Sequence, residues 1–277
     1  MARLIRVDAE LVRRHLAHSR QHAGELINRG VVLLDGEVVR KAARQMDPAQ
    51  PLRVVEEQGE EYVSRGAHKL IGALDALGEK GPVVAGRRCL DAGASTGGFT
   101  DVLLRRGASE VVAVDVGYGQ IAWRLREDPR VIVIERTNVR TLDPAVVAPA
   151  PDLVVGDLSF ISLTLVIPAL VRAAAPRADF LLMVKPQFEV GKDKLGAGGV
   201  VRDTALHAEA VLHVAESARA CGLAIRAVAA SPLPGPAGNV EYFLHMVAGG
   251  TDDLGDTLES EIIRAIDEGP AGAKVKH

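Results

Sequence analysis

The chain has little cysteine, few aromatic residues and no long apolar run, and each scarcity closes off a class of protein. Two cysteines, Cys89 and Cys221, are too few for a disulfide framework or a zinc site, so no metal is expected. Both lie beside apolar runs and read as buried thiols. Aromatic residues make up 3% of the sequence, which argues against base stacking as the main grip on a nucleic acid. The first eight residues carry charge where a secretory leader would be apolar. The most apolar long stretch, residues 160–175, is interrupted by Pro168 and Arg172 and is too short to span a bilayer. A soluble, cytoplasmic protein without membrane insertion is the expectation. Neither sign of charge prevails, with 33 basic against 36 acidic residues, so a nucleic-acid partner would have to be met by a local patch.

What is present is a glycine turn at Asp91-Ala92-Gly93-Ala94-Ser95-Thr96-Gly97-Gly98-Phe99-Thr100. It follows the apolar Arg88-Cys89-Leu90 and precedes residues of helical apolar spacing, so it reads as strand, tight turn, helix. Gly93, Gly97 and Gly98 would let a ligand approach the backbone, and a helix starting near Gly98 offers free N–H groups. The dinucleotide pattern Gly-x-Gly-x-x-Gly is not met, because Ser95 stands at its second glycine and Asp91 opens the turn. A carboxylate there repels a pyrophosphate and suits the cationic amino-acid end of S-adenosylmethionine. A second apolar strand ends in Asp115, placed to accept hydrogen bonds from ribose hydroxyls. The combination looks like a methyltransferase cofactor site; the plainer alternative is a βαβ turn with structural glycines.

At 277 residues the chain can form one large domain and a small one. The first 46 residues hold nine Lys or Arg against five Asp or Glu. Their apolar spacing predicts two short helices between Val7 and Arg29, the second capped by Ser19 and closed by Gly30, then a hairpin turning at Asp35-Gly36. The pattern Arg6-Val7-Asp8, Leu11, Ser19-Arg20, Ala23, Leu26-Ile27, Gly30, Asp35-Gly36 and Val39 resembles the S4 RNA-binding fold. Arg6, Arg14, Ser19 and Arg20, with Arg65 further on, are the candidate RNA contacts, led by phosphate and shape recognition. A polar stretch, Glu56 to Glu61, reads as linker. Beyond it, strands are expected at 88–91, 110–115, 131–135, 152–157, 178–185, 224–230 and 240–247. The segment Tyr62 to Leu70 is expected to open a helix running to about Leu77, and further helices are expected near 98–107, 118–126, 161–175 and 204–221. This alternation predicts an α/β fold, a seven-stranded, mostly parallel Rossmann-like sheet whose last strand returns antiparallel.

Ligands of such sheets sit beyond the carboxyl ends of the strands, where Asp157 and Lys185 fall, with Glu241 at the start of the reversed strand. Lys69 joins them because lysine is scarce here, 8 against 25 arginines, and a lysine is a tunable ammonium where arginine is the habit. Polar residues commonly punctuate strand ends, so the set can also be fortuitous. Its chemical reading is a site that deprotonates and aligns a ribose 2′-hydroxyl. Lys185 would accept its proton or stabilise the developing alkoxide, Asp157 and Glu241 would set the lysine's charge state, and Lys69 would balance the cluster.

The segments Ser64 to Leu70, Asp91 to Thr100, Asp157 to Leu163, Lys185 to Gly191 and Asn239 to Phe243 resemble the TlyA family, which joins an S4 domain to an FtsJ-like 2′-O-methyltransferase of the class I fold. The resemblance implies an S4 domain at 1–58, a linker at 59–65, a methyltransferase domain at 66–268 and a tail at 269–277. It implies ribosomal RNA or ribosomal subunits as the partner, with cytidine ribose in 16S and 23S RNA as target and no protein partner. It places catalytic positions on Lys69, Asp157, Lys185 and Glu241. The cofactor positions fall on Asp91, Gly93, Ser95, Gly97, Gly98 and Asp115, with Asn138 and Asp157 near the adenine. Where the family often carries tryptophan in the linker, this chain has Tyr62. The family has also carried a haemolysin label, and a non-catalytic ribosome-assembly factor is a further alternative. Base-amino methylation would call for an Asn/Asp-Pro-Pro-aromatic motif where Asp157-Leu158-Ser159-Phe160 stands, and carbon methylation would call for a placed cysteine.

Overall fold

A computed structural model of the chain describes residues 4–55 apart from 15, 18 and 29, and residues 62–273. The polar stretch 56–61, the basic residues Arg3 and Arg29, His15, His18 and the last four tail residues lie outside the described residues. The chain divides into two compact units, 1–61 and 62–277.

In the first unit, β1 (Ile5–Arg6) leads into α1 (Val7–Arg13), followed by α2 (Arg20–Asn28), the strands β2 (Val32–Leu34) and β3 (Glu37–Val38), then β4 (Gln45–Met46) and β5 (Leu52–Val54). Ser19 Oγ accepts the His22 N–H at 3.1 Å and so caps α2 as expected. Asp35 (φ +53°) and Gly36 (φ +85°) make the tight β2–β3 turn. The apolar rhythm that marked the helices becomes a small core of Val7, Leu11, Ala23, Leu26, Ile27, Val32, Leu34 and Met46. Strands β1, β4 and β5 have no signal in the sequence, because runs of two or three residues are too short for an alternation to register.

The second unit begins with Tyr62 and Val63 packed on its core. The Val63 N–H donates to Asp101 at 2.9 Å, and the Arg105 guanidinium lies 4.2 Å from the centre of the Tyr62 ring. Helix α3 (Ala67–Leu77) buries Ala67, Leu70, Ala73, Leu74 and Leu77 on one face. Seven strands then follow: β6 (Arg88–Ala92), β7 (Glu110–Val114), β8 (Val131–Ile134), β9 (Leu153–Gly156), β10 (Asp179–Val184), β11 (Leu223–Ala230) and β12 (Tyr242–Ala248). Their order across the sheet is β11-β12-β10-β9-β6-β7-β8, with β12 antiparallel to both its neighbours and the remaining pairs parallel. β9 and β10 are buried along their whole length, as strands covered on both faces must be. Helices α4 (Gly98–Arg105), α6 (Ile167–Ala173), α8 (Thr204–Ala220) and α9 (Leu258–Glu268) supply the covering layers; α5 (Trp123–Arg126), α7 (Pro186–Glu189) and α10 (Pro270–Ala273) are single turns.

Two expected helices are shorter than their sequence signal. Residues 118–122 form a loop, with Gly119 at φ +67°, and only the turn α5 remains of the helix expected at 118–126. The run 161–175 opens on a 3₁₀ turn at Leu163–Leu165 capped by Ser162, and α6 starts only where Pro168 can occupy the first turn.

Candidate active site

The strand ends bring the four polar residues together by register. β9 and β10 are parallel neighbours, so Asp157 and Lys185 leave the sheet at the same edge. Glu241 stands one residue before the first pair of the antiparallel ladder, Tyr242 opposite Val184, which returns it to the Lys185 end of β10. Lys69 arrives from α3, its side chain as buried as its apolar neighbours.

The result is a chain of alternating charge. Lys185 Nζ lies 2.5 Å from Asp157 Oδ1 and donates to Ser159 Oγ at 2.8 Å. Lys69 Nζ pairs with Glu241 Oε2 and lies 3.9 Å from the other Asp157 oxygen. Both lysines and Glu241 are at least nine-tenths buried, whereas the Asp157 side chain keeps 23% of its surface exposed. Buried charges are tolerated only when paired, and here each ammonium has a carboxylate and each carboxylate an ammonium.

These groups line one cavity of about 770 Å³ together with Asp91, Gly93, Ser95 and Gly98, and with the exposed Arg65. Asp91 is fully buried; its Oδ2 accepts the N–H and hydroxyl of Thr100 at 2.9 and 2.7 Å, while Oδ1 has no partner. Burial pushes this carboxyl up to about 7 despite the two Thr100 hydrogen bonds, with the charges of Asp157 and Asp115 adding to the rise. An unpaired buried carboxylate oxygen lining a cavity calls for a cationic ligand group.

The other residues expected at the cofactor have more structural tasks. A Cβ at Gly93 (φ +84°) would stand 3.0 Å from Leu158 Cδ2 and 3.2 Å from Asp157 O. Gly97 (φ +97°) is the left-handed residue before α4 and lies outside the cavity lining, against Leu125 and Ile121. The space a Cβ would need at Gly98 is taken by Ser64 Oγ, so this glycine lets α4 meet the start of α3. Asp115 accepts the N–H groups of Ser95 (2.8 Å) and Gly117 (2.6 Å). It thereby holds Ser95 at φ +49°, and each of its oxygens keeps a lone pair for a ligand hydroxyl in the narrow cleft it shares with Gln120 and Glu135. Asn138 caps the 139–141 turn through the Arg140 N–H at 3.0 Å and stands apart from the cavity lining.

Residues 62–248 match the model of the FtsJ-like methyltransferase family, and residues 5–49 match the S4 domain. The chain belongs to the FtsJ-like methyltransferase family. A 16S/23S rRNA (cytidine-2′-O)-methyltransferase TlyA of Mycobacterium tuberculosis is 58% identical over 271 residues, 98% of this chain and 100% of the relative. Hemolysin A of Brachyspira hyodysenteriae is 34% identical over 244 residues, 88% of this chain and 100% of that one. A solved structure from Streptococcus thermophilus that carries a hemolysin label has a TM-score of 0.70 at 33% identity, covering 97% of this chain and 98% of that one.

In this FtsJ-like methyltransferase the cavity wall also holds residues to which the sequence gave no individual role. Phe160 is 91% exposed in a left-handed backbone (φ +64°) at the cavity mouth, its ring 5.2 Å from that of Phe188. Strain of that kind in a non-glycine residue at a cleft accompanies function often enough to be a signal, but it exists only in coordinates. Asn239 is buried and joins two loops of the cavity wall, accepting from the Val201 N–H at 2.9 Å and donating to Gly199 O at 3.1 Å. Ser159, the second partner of Lys185, was legible only as one residue of the 157–163 motif.

Proposed function

We propose that this FtsJ-like methyltransferase moves the methyl group of S-adenosylmethionine to the 2′-oxygen of cytidine ribose in ribosomal RNA, with ribosomal subunits in the cytoplasm as its partner. The observation that carries the reading is the Lys69–Asp157–Lys185–Glu241 chain at the wall of the cavity that also contains the unpartnered Asp91 oxygen. The TlyA relative's name supplies the RNA and the nucleotide.

S-adenosylmethionine, when bound, supplies a methyl group activated by its sulfonium. Asp91 would hold the ammonium of its amino-acid end, and Asp115 its ribose hydroxyls. Lys185 Nζ would donate to the attacking 2′-oxygen as negative charge grows there; Asp157 and Ser159 fix the position of that ammonium. Asp157, whose side chain keeps 23% of its surface exposed, would pass the 2′-hydroxyl proton to water. Lys69, held by Glu241, keeps Asp157 from carrying an unbalanced second charge into the cavity. Phe160, at the mouth, offers a face on which the target base can stack once it leaves its neighbours. The S4 domain would bring phosphate contacts.

A membrane-active role finds no support in the fold, since no helix among the described residues is long and apolar enough to cross a membrane. A purely structural ribosome-binding role leaves the buried ionic chain without a purpose. The test is transfer of radiolabel from S-adenosylmethionine to purified ribosomal subunits and free ribosomal RNA. Labelled RNA whose methyl group resides on ribose is expected; label on protein or base would overturn the reading.

A further inference from the structure

Helix α1 buries two carboxylates beneath arginines. Asp8 and Glu10 lie in its first turn with side-chain exposures of 6% and 0%, and each is shared by two arginines. Asp8 accepts Arg6 Nε and Nη2 at 2.9 and 2.8 Å and Arg20 Nη2 at 3.0 Å. Glu10 accepts Arg13 Nε and Nη2 at 2.6 and 2.5 Å and Arg14 Nε at 2.6 Å. The four guanidiniums are not equivalent. Arg14 turns its Nη2 inward to Pro48 O (2.7 Å) and Gln50 O (3.1 Å) and anchors Glu10 to the unit. Arg6, Arg13 and Arg20 point outward, with 43%, 64% and 60% of their side chains exposed. In Arg6 and Arg13 the carboxylate takes Nε and Nη2 and leaves the opposite edge, at Nη1, facing away. Hydrogen bonds from Arg6 pull Asp8 down to about 2, and those from Arg13 do the same for Glu10, so both remain ionised at any working pH.

We propose that Asp8 and Glu10 are positioning residues for RNA: each buried carboxylate fixes outward arginines so that their free edges stand at set places for phosphates. This rests on the reading that residues 5–49 bind RNA. An ion pair whose arginine is 43–64% exposed adds little to stability, so holding three such arginines on two buried carboxylates points to a task besides stability. An unheld arginine loses side-chain entropy when it is fixed on a phosphate, and an arginine already fixed by a carboxylate has lost that freedom in advance. Negative charge thereby serves the binding of a polyanion.

The proposal makes a prediction opposite in sign to simple electrostatics. Glu10→Met and Asp8→Asn each add one positive charge to the unit, which by charge alone tightens RNA binding. Positioning requires the reverse. In the full chain, with ribosomal RNA as the probe, each variant should bind five- to tenfold more weakly, and the slope of log affinity against log salt should fall by about one. The thermal midpoint and S-adenosylmethionine affinity should hold. Binding as tight as wild type, or tighter, across the salt series overturns the proposal. Should Glu10→Met unfold the unit, Glu10→Gln in a cycle with Arg13→Ala decides. Arg13→Ala should weaken RNA binding in the wild-type background and have little effect in the Glu10→Gln background; equal effects in both overturn the proposal. Failure of the wild-type chain to bind ribosomal RNA would refute the functional reading itself, a result distinct from either variant outcome.

Discussion

Lys185 and Asp157 form a 2.5 Å ion pair across the ends of two neighbouring parallel strands, and Ser159 Oγ accepts a hydrogen bond from the same ammonium. The nitrogen is therefore fixed in two directions before any substrate arrives. Preorganisation of this kind is what a developing alkoxide exploits, because no reorientation is needed as charge appears.

Lys185→Ala should lower the rate of methyl transfer by a factor of about 10²–10⁴, the range for a positioned proton-transfer group. S-adenosylmethionine affinity, measured by calorimetry, should stay within a few-fold of wild type, since the proposed place of Lys185 is at the acceptor oxygen. Retention of full activity would remove Lys185 from the chemistry.

With Asp91 in its proposed role, S-adenosylmethionine binding should depend on pH. Its folded-state value is raised to about 7, so the ligand-free protein gains stability from the protonated carboxyl below the ordinary carboxylate range and loses it as pH rises through about 7. An ammonium ligand requires the ionised form, so each pH unit below about 7 should weaken S-adenosylmethionine binding by roughly a factor of ten. The cofactor-induced rise in thermal midpoint should shrink as pH falls over the same interval. Asp91→Asn should bind weakly at every pH and lose the dependence.

Phe160→Ala removes an exposed ring and keeps the Cβ that strains the left-handed backbone, so the thermal midpoint should change little. Base stacking on an aromatic ring is worth about 1–3 kcal/mol, so methyl transfer to RNA should fall by roughly 5- to 150-fold. Cofactor affinity should not change. Equal loss of cofactor affinity would assign Phe160 to the cofactor instead.

Much of the site was legible because its chemistry sits at strand ends. A run such as Leu153–Gly156 or Asp179–Val184 announces its own termination, and the residue beyond it is placed at the ligand-binding edge by the topology alone. Lysine scarcity picked out Lys69 by composition. What the sequence hid was tertiary: Gly98 reads as a cofactor glycine but yields its space to Ser64, and Asp115 braces Ser95 and Gly117 before it meets any ligand. Arg14 reads as one more outward cation, yet its donors close on Glu10 and two carbonyls across the unit. Phe160 is one aromatic among few, and nothing in its neighbours in sequence marks its strained backbone.

Gly98→Ala tests the packing reading of the glycine turn. Its methyl group would overlap Ser64 Oγ and stand 3.0 Å from Ala67 N, and the latter is backbone that cannot swing aside. A loss of about 1–3 kcal/mol in stability is expected, seen as a lower thermal midpoint with or without cofactor. An unchanged midpoint would mean that the α3–α4 contact is looser than the structure has it.

The central claim is that a ribose oxygen is the methyl acceptor. Ribosomal RNA treated with the enzyme and S-adenosylmethionine, then digested to nucleosides and analysed by mass spectrometry, should contain newly formed 2′-O-methylcytidine that is absent with the Lys185→Ala variant. New base-methylated nucleosides, or no methylated nucleoside at all, would contradict the account.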